Sequence, residues 1–224
     1  MRQLRFYFDP ISPYAALAFA RLPEVLAGLN VTVDYVPVLF AGFLKAHGHK
    51  GPAEIPAKRS WTYRQVLWEA HRLGLPLQLP VHHPFNPLAL LRLCWAAAPQ
   101  GRTPSRWVVE QVLRHVWEGG GDPLDPQRLA SLREQLAPAA DPESDAVKAR
   151  LRQATDEAVA AGLFGVPTVL VDGEMFWGLD GLGLLSAYLR DDPWFKSGAW
   201  EQAARLPIGQ ARPGAAGQLS EGKT

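Results

Sequence analysis

Ser12 and the Val166-Pro167 pair lie far apart in the chain; the first offers a hydroxyl that can face a sulfur anion, the second a backbone that can pair with a peptide. Ser12 falls in Phe6-Tyr7-Phe8-Asp9-Pro10-Ile11-Ser12-Pro13-Tyr14, which reads as a strand running into a helix. Unpaired N–H groups in a first helical turn, together with the positive end of the helix dipole, favour an anion at that place. A thiolate is such an anion, and a serine hydroxyl can donate to it. The same hydroxyl also reads as an N-cap ahead of Pro13, and one hydroxyl can serve both roles. Gly165-Val166-Pro167-Thr168 reads as a loop entering a strand. A cis Val166-Pro167 bond would leave the N–H and C=O of Val166 to pair with an extended peptide as a short strand does.

The chain does not supply the sulfur itself. Cys94 is the only cysteine, which excludes an internal disulfide and a dithiol cycle within one chain. It sits in the apolar helical stretch Leu90-Leu91-Arg92-Leu93-Cys94-Trp95 and reads as a buried, inert thiol.

The elements that must position these residues follow from periodicity. Leu4, Phe6 and Phe8 alternate with polar neighbours, a helix runs from Pro13 to about Ala27 with Gly28 as its stop, and Val31, Val33 and Tyr35 alternate again. That is a β-α-β unit with a parallel pair. The middle of the chain is helical. Tyr63, Val66, Leu67, Ala70 and Leu73 mark one apolar face, and Asn86-Pro87, Thr103-Pro104, Asp125-Pro126 and Asp141-Pro142 each predict a helix start, a capping side chain before a proline. After Pro167, Val169-Leu170-Val171 and Met175-Phe176-Trp177 flank Asp172-Gly173, a two-residue hairpin turn. A last helix is expected from near Asp180 with Leu182, Leu185 and Leu189 facing inward, and the segment 206–224 reads as a mobile tail.

Composition removes several classes of function. Apolar residues make up 47% and charged residues 20%, as in ordinary globular proteins, and a net charge of +1 gives no basic field for nucleic acid. No apolar run reaches the roughly 18 residues of a membrane span, and the N-terminus enters a strand without a signal-like segment. A cytoplasmic protein with no membrane partner is expected. His47, His49 and Lys50 lie without a carboxylate or cysteine at ligand spacing, so no metal is expected, and His82-His83 reads as a loop.

The stretches FYFDPISPYAALAF, GPAEIPAKRSW and FGVPTVLVDGEMFWGLDGLGLL make the chain resemble the 2-hydroxychromene-2-carboxylate isomerases from about Leu4 to Leu189. That family is related to kappa-class glutathione transferases and, more distantly, to the DsbA oxidoreductases. The resemblance implies an α/β, thioredoxin-like (DsbA-like) fold with an inserted all-helical domain. Its thioredoxin-like part would take residues 1–40 and 163–195, and the helical insertion residues 41–162. Ser12 and Ala15 stand where a thioredoxin-like redox enzyme carries its reactive pair, which argues against redox activity.

The resemblance also implies glutathione, a small peptide with a thiol, as cofactor. Ser12 would interact with its sulfur, and Pro13 and Tyr14 would border the same site. Val166, before a cis Pro167, would pair with its backbone, while Leu179 and Asp180 would hold its γ-glutamyl end. Where relatives place a glutathione-contacting asparagine after a glycine, this chain has Gly48-His49, and a ring nitrogen of His49 can donate in its place. Lys45, Lys50, Lys58 and Arg59 are candidates to face a substrate carboxylate.

The implied activity is a glutathione-dependent isomerisation of an aromatic carboxylic acid in aromatic-compound catabolism, by a homodimer. A kappa-like transferase that conjugates glutathione to electrophiles, and a non-catalytic thioredoxin-like binding module in which Ser12 only caps a helix, are the alternatives.

Overall fold

The computed structural model describes residues 1–207 and 209, so the expected mobile tail lies almost wholly outside the described residues. Residues Met1–Ser186 form one compact unit, and the described residues from Ala187 onward belong to a second.

β1 (Arg2–Phe8) is followed by α1 (Pro13–Val25) and β2 (Val31–Pro37), as the alternation and the Gly28 stop predict. The two strands pair in parallel, with Phe6 opposite Tyr35. β3 (Thr168–Val171) and β4 (Glu174–Trp177) form the expected hairpin, and β3 runs antiparallel to β1. Asp172 and Gly173 have φ of 52° and 84°, the left-handed pair that matches such a turn to the twist of its strands. The sheet order is β2-β1-β3-β4, so β1 lies inside, and its end delivers the chain to Ser12.

Period-two alternation divides the side chains between the two faces of the sheet. Phe6 and Tyr35 meet Phe19 of α1 on one face, with ring centroids 6.3 and 5.5 Å from it. The other face carries Tyr7, Val36 and Leu170 and is covered by the helical stretch between β2 and β3. That stretch contains α2 (Phe40–His47), α3 (Pro56–Leu73), α4 (Leu88–Ala96), α5 (Arg106–Trp117), α6 (Pro126–Leu136) and α7 (Asp145–Ala160). Phe43, Leu91, Trp95, Leu151 and Ala158 from α2, α4 and α7 share the core with Tyr7 and Val36. α8 (Gly181–Leu189) follows the hairpin with Leu182, Leu185 and Leu189 buried as expected. A short helix, α9 (Ala199–Ala204), lies in the second unit.

Three of the four predicted helix starts, those of α4, α5 and α7, differ from their dipeptides. α5 begins after Ser105, whose Oγ accepts Val108 N–H at 3.3 Å, and α7 begins after Ser144, whose Oγ accepts Val147 N–H at 3.4 Å. In both cases a serine downstream of the proline takes the cap, and Asp141 instead caps a preceding turn through Glu143 N–H at 3.2 Å. Asp125-Pro126 starts α6 as read, with Asp125 Oδ1 on Arg128 N–H at 2.9 Å. α4 starts at Leu88, one residue later than its dipeptide predicts, with Pro87 at the N-cap and Asn86 Oδ1 accepting Leu88 N–H at 3.1 Å. On α3 the buried face is narrower than expected: Val66 and Ala70 are buried, but Leu67 is exposed.

Pro23 inside α1 removes the N–H that would serve the Phe19 carbonyl. Arg106 takes over that oxygen with both terminal nitrogens at 3.4 Å, donates to Tyr35 Oη at 3.2 Å, and stacks over the Phe19 ring at 4.0 Å. The helix that begins at Ser12 is thereby tied to α5 at mid-length.

Candidate active site

Ser12 is the N-cap of α1: its φ and ψ of −89° and 115° are extended, and its Oγ accepts Ala15 N–H at 3.3 Å. The same Oγ donates to the Val166 carbonyl at 3.4 Å. That bond is long, so the hydroxyl proton can turn to a better acceptor at little energetic loss. Val166-Pro167 is cis, and among the described residues no group accepts the Val166 N–H. The serine and the loop, 154 positions apart in sequence, thus meet at the start of a helix.

The loop is shaped by its neighbours. Gly165 is buried under the Trp177 ring, and a Cβ there would stand 2.7 Å from Trp177 Nε1. Thr168 Oγ1 donates to Gly165 O at 2.7 Å, and Gly178 N–H donates to Pro167 O at 2.9 Å. The latter bond carries the chain from Pro167 to Leu179 and Asp180. Leu179 packs with Tyr14 against Leu17, Val66 and Ala70, so the two contribute to one wall. Pro13 is buried behind Ser12.

Tyr14 Oη donates to Gln65 Oε1 of α3 at 2.9 Å. Burial raises the Tyr14 pKa above its ordinary value, and the carboxylates of Glu69 and Asp180 raise it further. Tyr14 is therefore a neutral phenol and a hydrogen-bond donor at physiological pH. Asp180 is exposed, close enough for its charge to act on Tyr14.

Ser12, Pro13, Tyr14, Val166, Pro167, Leu179 and Asp180 are thus linked by direct bonds, packing or charge. His49 is not joined to them. It is exposed at the C-terminal end of α2, its N–H bonds Leu44 O at 3.1 Å, and its ring stacks on His47 with centroids 6.0 Å apart. His47 Nε2 meets Leu163 O at 3.0 Å, three residues before Val166. Arg59, a candidate for a substrate carboxylate, instead donates to His83 O at 2.9 Å.

Three residues that sequence reading passed over hold the Ser12 turn. Asp9 is fully buried, and its carboxylate oxygens accept Ile11 N–H at 3.0 Å and Phe40 N–H at 2.9 Å. Loss of hydration pushes its pKa up to about 7, against the two backbone bonds that lower it. Trp117 Nε1 donates to Pro10 O at 2.9 Å, and His83 Nε2 meets Ile11 O at 2.7 Å. A charged residue directly following a run of apolar strand residues is the one available signal, and it points to Asp9 alone. Cys94 is buried with its thiol pKa far above the ordinary value, chiefly by desolvation, and is inert as expected.

Among the described residues no group of three His, Cys, Asp or Glu side chains is arranged to hold a metal ion, and no helix is long and apolar enough to cross a membrane.

A four-stranded mixed sheet, a helix opening beside a cis-proline loop, and a helical stretch interposed between the strand pairs define a thioredoxin-fold protein of the DsbA type. The family described as DSBA-like thioredoxin domain matches residues 3–190, and the chain belongs to it. The chain is 28% identical over 197 residues to a 2-hydroxychromene-2-carboxylate isomerase of Sphingobium xenophagum, covering 85% of this chain and 99% of that protein. It is 26% identical over 210 residues to glutathione S-transferase kappa 1 of Rattus norvegicus, covering 86% and 92%. Among solved structures, a 2-hydroxychromene-2-carboxylate isomerase aligns with a TM-score of 0.73 at 24% identity, over 92% of this chain and all of that one.

Proposed function

We propose that the protein is a glutathione-dependent isomerase interconverting 2-hydroxychromene-2-carboxylate and trans-o-hydroxybenzylidenepyruvate, or a related aromatic acid. The observation that carries this reading is the meeting of Ser12 Oγ with Val166 at the start of α1, in a chain whose only cysteine is buried elsewhere. The residues present fit glutathione: Val166 offers an N–H with no partner among the described residues, and Ser12 a hydroxyl on a long, exchangeable bond.

When bound, glutathione would supply a thiolate, the nucleophile needed for reversible addition to the conjugated side-chain double bond of the ring-opened acid. The chain's own residues prepare that step. Ser12 turns its proton from Val166 O to the sulfur and, with the helix dipole, raises the ionised fraction of a thiol whose pKa is otherwise about 8.5. Val166 pairs with the tripeptide backbone, Asp180 accepts from its ammonium group, and Pro13, Tyr14, Pro167 and Leu179 border it. His49 is assigned the remaining polar contact. The same reading takes residues 41–162 as a helical insertion within a thioredoxin-like domain of residues 1–40 and 163–195, and the protein as a cytoplasmic homodimer serving aromatic-compound breakdown.

The test is a spectrophotometric assay of the two isomers with and without glutathione. Turnover should require glutathione, and Ser12→Ala should lower it by about ten- to a hundredfold, the worth of one hydrogen bond to a charged group. Equal rates without glutathione would reject the proposal. A kappa-like transferase is the second reading, favoured by the rat relative. Mass spectrometry separates the two, since a transferase leaves a stable conjugate and an isomerase returns free glutathione.

A further inference from the structure

The peptide joining Ile11 to Ser12 is fixed at both of its polar groups. Its N–H donates to Asp9 O at 2.9 Å, and its carbonyl lies 2.7 Å from His83 Nε2. A carbonyl only accepts, so Nε2 carries the proton and Nδ1 of the neutral ring is an acceptor. Tyr63 Oη lies 2.7 Å from Nδ1 and donates to it, with His83 O a second acceptor at 3.2 Å. Arg59 holds that same carbonyl at 2.9 Å. The ring is packed against Phe85 and Trp117, at centroid separations of 5.8 and 5.5 Å. Burial, with a smaller contribution from the Arg59 charge, lowers the His83 pKa, against the bond to Ile11 that raises it. The neutral tautomer is thereby maintained.

The orientation of this peptide sets the direction in which the Ser12 side chain leaves the backbone. Resting on the glutathione reading above, we propose that His83 is a positioning residue for Ser12: by holding the Ile11 carbonyl through Nε2 and being held by Tyr63 through Nδ1, it aims the Ser12 hydroxyl at the sulfur. His83 touches neither sulfur nor substrate in this role. Without it the half-buried Ile11 carbonyl loses its partner and the peptide is free to rock, and a hydrogen bond from a rocking hydroxyl stabilises a thiolate less.

The experiment uses the full chain with His83→Phe, which removes both ring bonds, and His83→Gln, whose amide can donate to Ile11 O and accept from Tyr63. The first readout needs no ligand. In ¹H–¹⁵N spectra, His83→Phe should shift the Ser12 and Ala15 amides and leave those of α6 in place, while His83→Gln restores them toward the parent positions. The second is the ultraviolet absorbance of the bound thiolate against pH. His83→Phe should raise the bound thiol pKa by about half a unit to one unit, with His83→Gln close to the parent protein. A purely structural role would weaken glutathione binding and leave that pKa unchanged, so moved amides with an unmoved thiol pKa overturn the proposal. If the parent protein binds no glutathione, the glutathione reading falls, and unshifted Ser12 and Ala15 amides in His83→Phe would then overturn the positioning role by themselves. If His83→Phe does not fold, Tyr63→Phe must raise the thiol pKa in the same direction, and a titration like the parent's overturns the proposal.

Discussion

The turn that presents Ser12 and the corner that presents His49 are built in opposite ways. Ser12 opens α1, and its turn is held by the adjacent Asp9 just after β1 and by side chains from two distant places, His83 before α4 and Trp117 at the end of α5. His49 follows α2, and its backbone is held by that helix alone. Gly48 takes a φ of 64°, its N–H bonds Lys45 O, and His49 N–H bonds Leu44 O, a closure made wholly from local carbonyls. A group braced by remote partners keeps its direction when a ligand arrives, whereas one on a locally closed helix end is free to adapt. Ser12 has the character of a preorganised donor, and His49 that of a peripheral contact.

Asp9 is the severest way to break the contrast. Its folded pKa of about 7 stands above the ordinary value of 3.8, so between those values the folded chain holds a proton that the unfolded chain has lost. Stability from this group is therefore fully present below about pH 4 and is lost as pH rises through 7, by on the order of 4 kcal/mol. His83 and His115 act in the opposite sense: their pKa values are lowered by burial, so their contribution is present above the unfolded value and falls as pH drops. The difference between the parent protein and Asp9→Asn isolates the carboxyl group. Urea unfolding from pH 4 to 8 should show a downward component in the parent that Asp9→Asn lacks. Identical slopes in the two proteins would mean that the carboxyl is not desolvated in solution.

Trp117→Phe is a milder break. The ring volume is largely kept, while Pro10 O, next to the Ser12 turn, loses its donor. A buried acceptor left without a partner is expected to lower stability by about 1 to 3 kcal/mol, read from the same urea transitions. Ser12-dependent turnover should fall with it. Unchanged stability would place a water on that carbonyl and weaken the view that α5 braces the turn.

What the sequence discloses follows the same division. The strand-to-helix step at Ser12-Pro13, the Gly28 stop and the Asp172-Gly173 hairpin rest on neighbours within a few residues, and they stand where local pattern places them. Ser105 and Ser144 escape local reading because each competes with another capping residue two or three positions upstream, Thr103 and Asp141. The pairing of Ser12 with Val166 was reached through resemblance, since no local rule links residues 154 positions apart. The His83 and Trp117 braces are hidden for the same reason: a histidine in a loop and a tryptophan at a helix end acquire their roles only when distant backbone groups fold against them.

His49→Ala gives the smallest expected effect and sharpens the comparison most. The side chain is exposed, and its ring contact is with His47 alone among the described residues, so unfolding free energy should change by within about 0.5 kcal/mol. If His49 makes the remaining polar contact with glutathione, as proposed, its loss removes one hydrogen bond at an exposed rim. Calorimetry should then show affinity falling by roughly three- to tenfold, with the bound thiol pKa unmoved. The pattern is the reverse of that expected for His83→Phe, which shifts the thiol pKa more than the affinity. A His49→Ala protein that binds glutathione as tightly as the parent would remove His49 from the site and leave the Ser12 and Val166 end to hold the tripeptide alone. A change in thiol pKa would instead bring the α2 corner into the electrostatics of the sulfur, and the distinction between a braced donor and a peripheral contact would fail.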